Sequence, residues 1–192
     1  SQRVALIPDW EQKLERITAE TLSQNVTSIT GVPSWNLVMI KHILNHTQKS
    51  TLLEVWPSLE LFIHGGVSFT PYRDQYIKLI PSSQMHYMEA YNASEGFFAI
   101  QDDPKTDDML LMLDYGVFYE FIPVEQLGQP NPQAFPIGDV EVGKNYAMLI
   151  TTSSGLWRYL IGDTVTFTSK LPYKIKITGR TRHFINAFGE EI

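Results

Sequence analysis

The apolar positions of this chain change their spacing part-way along, and the change divides it. Trp10, Leu14 and Ile17 recur on one helical face. Asp9 stands ahead of them as a helix cap, with Gln12 three residues on as its capping-box partner. Residues 25–30 are short and β-branched and predict a strand, punctuated by Gly31-Val32-Pro33-Ser34-Trp35. Ser34 is expected to cap a second helix, in which Leu37, Ile40 and Leu44 form an apolar stripe. Residues 59–63 predict a strand closed by His64-Gly65-Gly66, and Thr70-Pro71 is expected to open a helix running to about residue 80. Another strand is predicted over 85–91. Strands alternating with helices imply a mostly parallel sheet with flanking helices.

Beyond Phe97 the pattern becomes strand after strand: 97–100, 109–113, 118–122, 147–151, 157–161, 165–168 and 174–178. Asp102-Asp103-Pro104 and Ser153-Ser154-Gly155 supply turn chemistry between them. The expected fold is therefore α/β over 1–100, an antiparallel β subdomain over 101–178, and a connecting segment over 179–192.

Composition narrows the functional classes. The chain has 192 residues, 43% hydrophobic and 19% charged, as a globular protein should. It contains no cysteine, which removes disulfides and thiol catalysis and fits a cytoplasmic setting. A net charge of −6 without a basic run argues against nucleic acid as the partner. No apolar stretch is long enough to span a bilayer, so no membrane partner is expected. The five histidines form no zinc pattern, and neither a Walker A loop nor a Gly-x-Ser-x-Gly elbow occurs.

Three polar clusters could carry chemistry. Tyr91-Asn92-Ala93-Ser94-Glu95-Gly96 lies between two predicted strands. Tyr91 offers a flat face to a purine, Ser94 a hydroxyl to a phosphate, and Glu95 a hard oxygen to magnesium. On pattern alone the same stretch reads first as a surface turn with a solvated glutamate, because short polar turns are common. Gly155-Leu156-Trp157-Arg158-Tyr159-Leu160-Ile161-Gly162-Asp163 ends a strand on a carboxylate able to accept two ribose hydroxyls, or simply makes a Gly-Asp turn. Gly179-Arg180-Thr181-Arg182-His183-Phe184-Ile185-Asn186 brings a guanidinium fork, or a charged linker. His64-Gly65-Gly66-Val67 is a fourth, weaker feature, in which two glycines let a ligand approach the backbone.

In order, Tyr-x-x-Ser-Glu, Tyr-x-x-Gly-Asp and Gly-Arg-Thr-x-x-x-Ile-Asn resemble the adenylate-forming superfamily of acyl-CoA synthetases, peptide-synthetase adenylation domains and luciferases. More narrowly, the chain resembles the auxin-responsive acyl acid–amido synthetases and their bacterial relatives. Gly31-Val32-Pro33-Ser34-Trp35, Trp56-Pro57, His64-Gly65-Gly66-Val67, Tyr119-Glu120-Phe121-Ile122-Pro123 and Gly155-Leu156-Trp157-Arg158-Tyr159 carry that narrower likeness. The resemblance implies an ATP- and Mg2+-dependent ligase that converts a small carboxylic acid to acyl-AMP and transfers the acyl group to an amino acid.

It further implies that Tyr91 stacks on adenine, Ser94 meets the α-phosphate, Glu95 holds magnesium, Asp163 takes the ribose hydroxyls and Arg180 fixes the ribose. Asn92, Ala93 and Tyr159 complete the nucleotide contacts, and Gly65, Gly66, Val67, Trp35 and Phe118 line the acyl side. Two positions depart from the pattern: Leu160 replaces a residue often polar or basic, and Arg182 stands where many members have an acidic hinge residue. The superfamily's Ser/Thr/Gly-rich phosphate loop and its lysine-bearing C-terminal domain have no counterpart here, so the chain reads as a fragment, inactive alone. An acyl-CoA synthetase, a nucleotide-binding module without chemistry and a plain interaction domain are the alternatives.

Overall fold

A computed structural model describes residues 2–181, and the backbone divides after Met88 into two compact units. The first comprises α1 (Gln2–Ala5), α2 (Trp10–Thr21), β1 (Ser28–Gly31), α3 (Pro33–Thr47), β2 (Leu61–His64) and α4 (Arg73–Leu79). β1 and β2 pair in parallel, from Ser28 opposite Leu61 to Gly31 opposite His64. This pair is a parallel part of the expected sheet.

The sequence explains each helix start. Asp9 caps α2 by accepting the Gln12 N–H at 2.8 Å, as its position ahead of the apolar stripe predicted. α3 starts two residues earlier than expected. Pro33 occupies its first turn, Val32 is the residue before it, and no side chain caps the end. Proline suits that place because its fixed φ is helical and its missing N–H would go unpaired there anyway. Ser34 is therefore inside the helix, and its buried Oγ has no hydrogen-bond partner. Thr70 is not a helix cap either: α4 begins only at Arg73, and the residue before it is Tyr72. Gly31 allows the sharp exit from β1. Its φ is +135°, and a Cβ there would lie 2.7 Å from Asn36 Nδ2, which bonds the carbonyls of Thr30 and Val32.

The first core forms under α3, where Leu37, Ile40, Ile43 and Leu44 turn inward onto Phe62, Trp56, Leu52 and Leu59. Two long side chains tie this core to backbone. Tyr76 donates its phenol proton to the Pro33 carbonyl at 2.7 Å, and Trp56 Nε1–H donates to the Thr21 carbonyl at 3.3 Å.

β3 (His86–Ala93) leads into the second unit, followed by β4 (Gly96–Ile100), β5 (Met109–Leu111), β6 (Val117–Pro123), β7 (Phe135–Pro136), β8 (Asn145–Thr152), β9 (Tyr159–Lys170) and β10 (Tyr173–Arg180). They hydrogen-bond in the order β3-β4-β5-β10-β9-β8-β6-β7, antiparallel at each junction. Alternating residues of these strands build one core of Phe98, Met109, Tyr119, Phe121, Tyr146, Met148, Ile150, Val165, Phe167 and Ile175. Phe121 and Phe167 meet edge to face at its centre, 4.9 Å between centroids.

Two boundaries differ from the sequence reading. The division falls after Met88, so the turn at 94–95 belongs to the antiparallel unit. That turn is a tight hairpin with Ala93 opposite Gly96, not the carboxyl end of a parallel strand. The strands predicted over 157–161 and 165–168 are one, β9, twelve residues long. The expected connecting segment beyond Thr181 lies outside the described residues.

Candidate functional site

The candidate residues of the second unit gather where β9 is irregular. Leu160 lies opposite Leu149 on β8, but the next pair is Thr164 with Ala147, so β9 carries extra residues there. Gly162, at φ +93°, makes the bulge possible. A bulge re-aims side chains next to it. On the other flank Asp163 lies opposite Arg180 of β10. Gly162-Asp163 is therefore a bulge inside a continuous strand, where the sequence predicted a strand end.

Asp163 is the hub. Its Oδ1 accepts from Arg180 Nε at 2.8 Å, and its Oδ2 accepts from the Tyr91 hydroxyl at 2.7 Å. The Asp163 side chain is 13% exposed and that of Arg180 36%. Tyr91 comes from β3, which β4, β5 and β10 separate from β9 in the sheet order. Their contact means that the sheet curls across the core that both strands line.

The same geometry places the Tyr91 ring in the core of the unit. The whole residue is 4% exposed, and its ring lies among the core side chains, tilted against Phe98 at 5.0 Å. Only the phenol oxygen reaches the polar cluster. Burial, then the neighbouring Asp163 charge, pushes its pKa far above the ordinary tyrosine value, so it stays a donor throughout the accessible pH range.

A second phenol–carboxylate contact sits beside the first. Tyr159, at the start of β9 and 41% exposed, has the Glu95 carboxylate as its neighbour, and that carboxylate, as hydrogen-bond acceptor and then as charge, raises its pKa. Tyr91 and Glu95 lie on the β3 hairpin, Tyr159 and Asp163 on β9, so each segment offers one phenol and one carboxylate to the other. Asn92, Ala93 and Ser94 form the exposed rim of this hairpin.

Glu95 is half-buried in its turn. An ionised carboxylate accepting one phenol proton retains further lone pairs, which fits one hard-oxygen bond to a magnesium ion whose other ligands are phosphates and water. Among the described residues, no three His, Asp or Glu side chains are grouped so as to hold a metal ion by themselves.

The sequence reading assigned no site role to Arg158 or Glu120. Arg158 adopts φ +46°, its N–H donates to Thr151 Oγ1 at 3.0 Å, and its Nε donates to Glu120 Oε2 at 2.9 Å. The pair fixes the loop between β8 and β9 on which Trp157, 81% exposed, is displayed. Both residues stand in motifs used for the family likeness, so the signal was present as identity but not as contact.

Phe118 belongs to this unit and is 60% exposed on β6, opposite Thr151. Gly65, Gly66, Val67 and Trp35 belong to the first unit. Gly66, at φ +81°, packs its loop against Val32, and a Cβ there would stand 3.3 Å from Val32 Cγ2. Trp35 is 40% exposed and meets Trp10 edge to face at 5.2 Å. Neighbouring His64 is buried and stacks on Phe69 at 4.2 Å.

Comparison with known proteins follows the same division. Residues 1–85 match the GH3 family N-terminal domain, and residues 110–180 match the GH3 family central domain. The chain belongs to the GH3 family. Among curated members, it is 25% identical over 181 residues to indole-3-acetic acid-amido synthetase GH3.4 of Arabidopsis thaliana, covering 83% of this chain and 30% of that protein. It is 26% identical over 181 residues to indole-3-acetic acid-amido synthetase GH3.8 of Oryza sativa subsp. indica, of which it covers 29%. The chain therefore spans about a third of the length of these GH3 relatives.

In fold, this GH3 chain is similar to the GH3.15 acyl acid amido synthetase, at TM-score 0.75 and 16% identity over 98% of this chain and 43% of that one. It is similar also to 2-hydroxyisobutyryl-CoA ligase solved with 2-HIB-AMP and CoA, at TM-score 0.64 and 15% identity, covering 94% of this chain and 42% of that one. The mixed α/β architecture is the fold this chain has in common with these two enzymes.

Proposed function

We propose that the polypeptide to which this segment contributes is an ATP-dependent, AMP-forming ligase that joins a small carboxylic acid to an amino acid. The observation that carries the reading is the convergence of Tyr91 and Arg180 on Asp163, with Glu95 on the same hairpin as Tyr91. That cluster offers a fixed diol acceptor, a cation and a separate hard oxygen, which are the groups a nucleotide and its metal require.

In the first step a carboxylate oxygen of the acid attacks the α-phosphorus of ATP. The bond from that phosphorus to the bridging oxygen breaks, and pyrophosphate leaves with the electron pair. In the second step an amine attacks the acyl carbon, AMP departs with its carboxyl-derived oxygen, and the amine loses a proton. Both steps depend on alignment and on charge neutralisation more than on covalent help. Asp163 holds the ribose and so sets where the α-phosphate lies. Ser94, exposed at the hairpin tip, donates towards its oxygens. Glu95 holds magnesium, which offsets the phosphate charge when bound.

The amino acid acceptor follows the relatives' names, amido synthetases. An acyl-CoA product is the second reading, favoured by the likeness in fold to a CoA ligase. The test uses a polypeptide of full family length containing this segment, given ATP, magnesium, a panel of carboxylic acids, and either amino acids or CoA. Acid-dependent exchange of labelled pyrophosphate into ATP, with an amide identified by mass spectrometry, is the expected result. A thioester would select the second reading, and exchange that survives Asp163→Ala would remove this site from the mechanism.

A further inference from the structure

We infer that Tyr91 is a positioning residue that acts through its hydroxyl: it orients the Asp163 carboxylate for a nucleotide's ribose diol, and its ring face takes no part in binding. The inference rests on the nucleotide reading above and deepens it. Three observations carry it. The ring is inaccessible, with the residue 4% exposed and packed against Phe98 at 5.0 Å. The hydroxyl lies 2.7 Å from Asp163 Oδ2, the length of a charge-assisted bond. Arg180 Nε holds the other carboxylate oxygen at 2.8 Å, so both oxygens are fixed from the protein side.

The hydrogen-bond inventory then gives the consequence. An ionised carboxylate has about four lone-pair sites, roughly two on each oxygen. Tyr91 uses one on Oδ2 and Arg180 Nε one on Oδ1, leaving capacity on each oxygen for one further donor. Vicinal hydroxyls of a ribose present two donors at matching separation. A carboxylate free to rotate would lose that match, because its side chain would pay rotamer entropy on binding. Fixing Asp163 from a buried phenol, itself held by the core, removes that cost in advance. Tyr91 is placed to do this because the curled sheet brings β3 to β9 although three strands lie between them in the sheet order.

The test compares ATP with 2′,3′-dideoxy-ATP by equilibrium titration of the family-length polypeptide, wild type and Tyr91→Phe. That variant keeps the ring and removes only the hydroxyl. The expected result is about a tenfold loss of ATP affinity in the variant, with the affinity for the dideoxy analogue unchanged, so that discrimination between the two collapses. Equal loss for both nucleotides, or no loss for either, overturns the inference. A large loss confined to Tyr91→Leu, with Tyr91→Phe neutral, would instead show that the ring face binds.

If Tyr91→Phe does not fold, 3-fluorotyrosine at position 91 keeps the hydroxyl and decides by 19F resonance. Its signal is expected to move on ATP binding and to stay in place with the dideoxy analogue, and the same movement with both overturns the inference. Failure of wild type to bind either nucleotide is a separate result, and it overturns the nucleotide reading itself.

Discussion

The two units treat buried polarity differently. In the first, Ser34 Oγ, His42 Nε2, His64 Nδ1 and Tyr87 Oη are buried without a hydrogen-bond partner. In the second, the buried polar groups serve one another: Tyr91 with Asp163, Thr164 with Thr178, Tyr119 with the Met112 carbonyl. An unpaired buried group costs the unit that holds it. A paired one restricts geometry, because a satisfied network permits few arrangements. The contrast teaches that the first unit ties its buried polar side chains to backbone or leaves them unpaired, whereas the second joins side chain to side chain, at Asp163 above all.

Truncating the centre of either core tests the part the units share. Phe62→Ala and Phe121→Ala each leave a large void in fully buried surroundings and should cost about 3–5 kcal/mol, read by denaturant unfolding. A much smaller cost for Phe62→Ala would deny that the two units share a packed core.

Asp163→Ala probes the second unit alone. Removing the hub leaves the buried Tyr91 hydroxyl without its acceptor and takes one hydrogen bond from Arg180. A loss of about 100-fold in kcat/KM for ATP is expected in the family-length polypeptide. Retained affinity for ATP would break the comparison at its most specific point.

His64 sharpens the account of the first unit. Burial, and secondarily the Arg73 charge, lower its pKa to about 4 from an ordinary 6.5. A histidine whose folded value is depressed favours the fold when neutral. Its contribution is complete above about pH 6.5 and is lost as the pH falls towards 4. Between pH 7 and pH 5 this amounts to about 2 kcal/mol. His64→Leu should flatten that part of the stability curve, measured by melting at successive pH values. An unchanged slope would show that His64 does not set it.

Gly31→Ala and Asp9→Ala are the smaller tests. The first places a Cβ against Asn36 at a φ of +135° and should cost about 1–3 kcal/mol. The second removes the cap of α2 and should cost about 1 kcal/mol. Both are read as shifts in the unfolding midpoint.

Much of this protein was legible along the chain because the signals are local. Asp9 with Gln12, the Leu37-Ile40-Leu44 stripe and the β-rich pattern after Phe97 depend on residues a few positions apart, and each corresponds to an observed element. Ser34 and Thr70 misled because capping residues are common and only the actual course of the chain selects one. Gly162-Asp163 misled for a different reason. A turn and a bulge use the same residues, and the pairing of β9 with strands on both sides chose the bulge.

The motifs by themselves determined the family and which residues deserved attention. Which of those residues meet was decided in three dimensions. Tyr91 and Asp163 are 72 positions apart, and nothing in their spacing says that a phenol oxygen will meet a carboxylate while the ring disappears into a core. That outcome follows from the curl of the sheet between β3 and β9, which is a property of the strand pairings together. Local sequence fixes torsions and periodicities; which side chains then share a hydrogen bond depends on long-range closure, and only the folded chain supplies it.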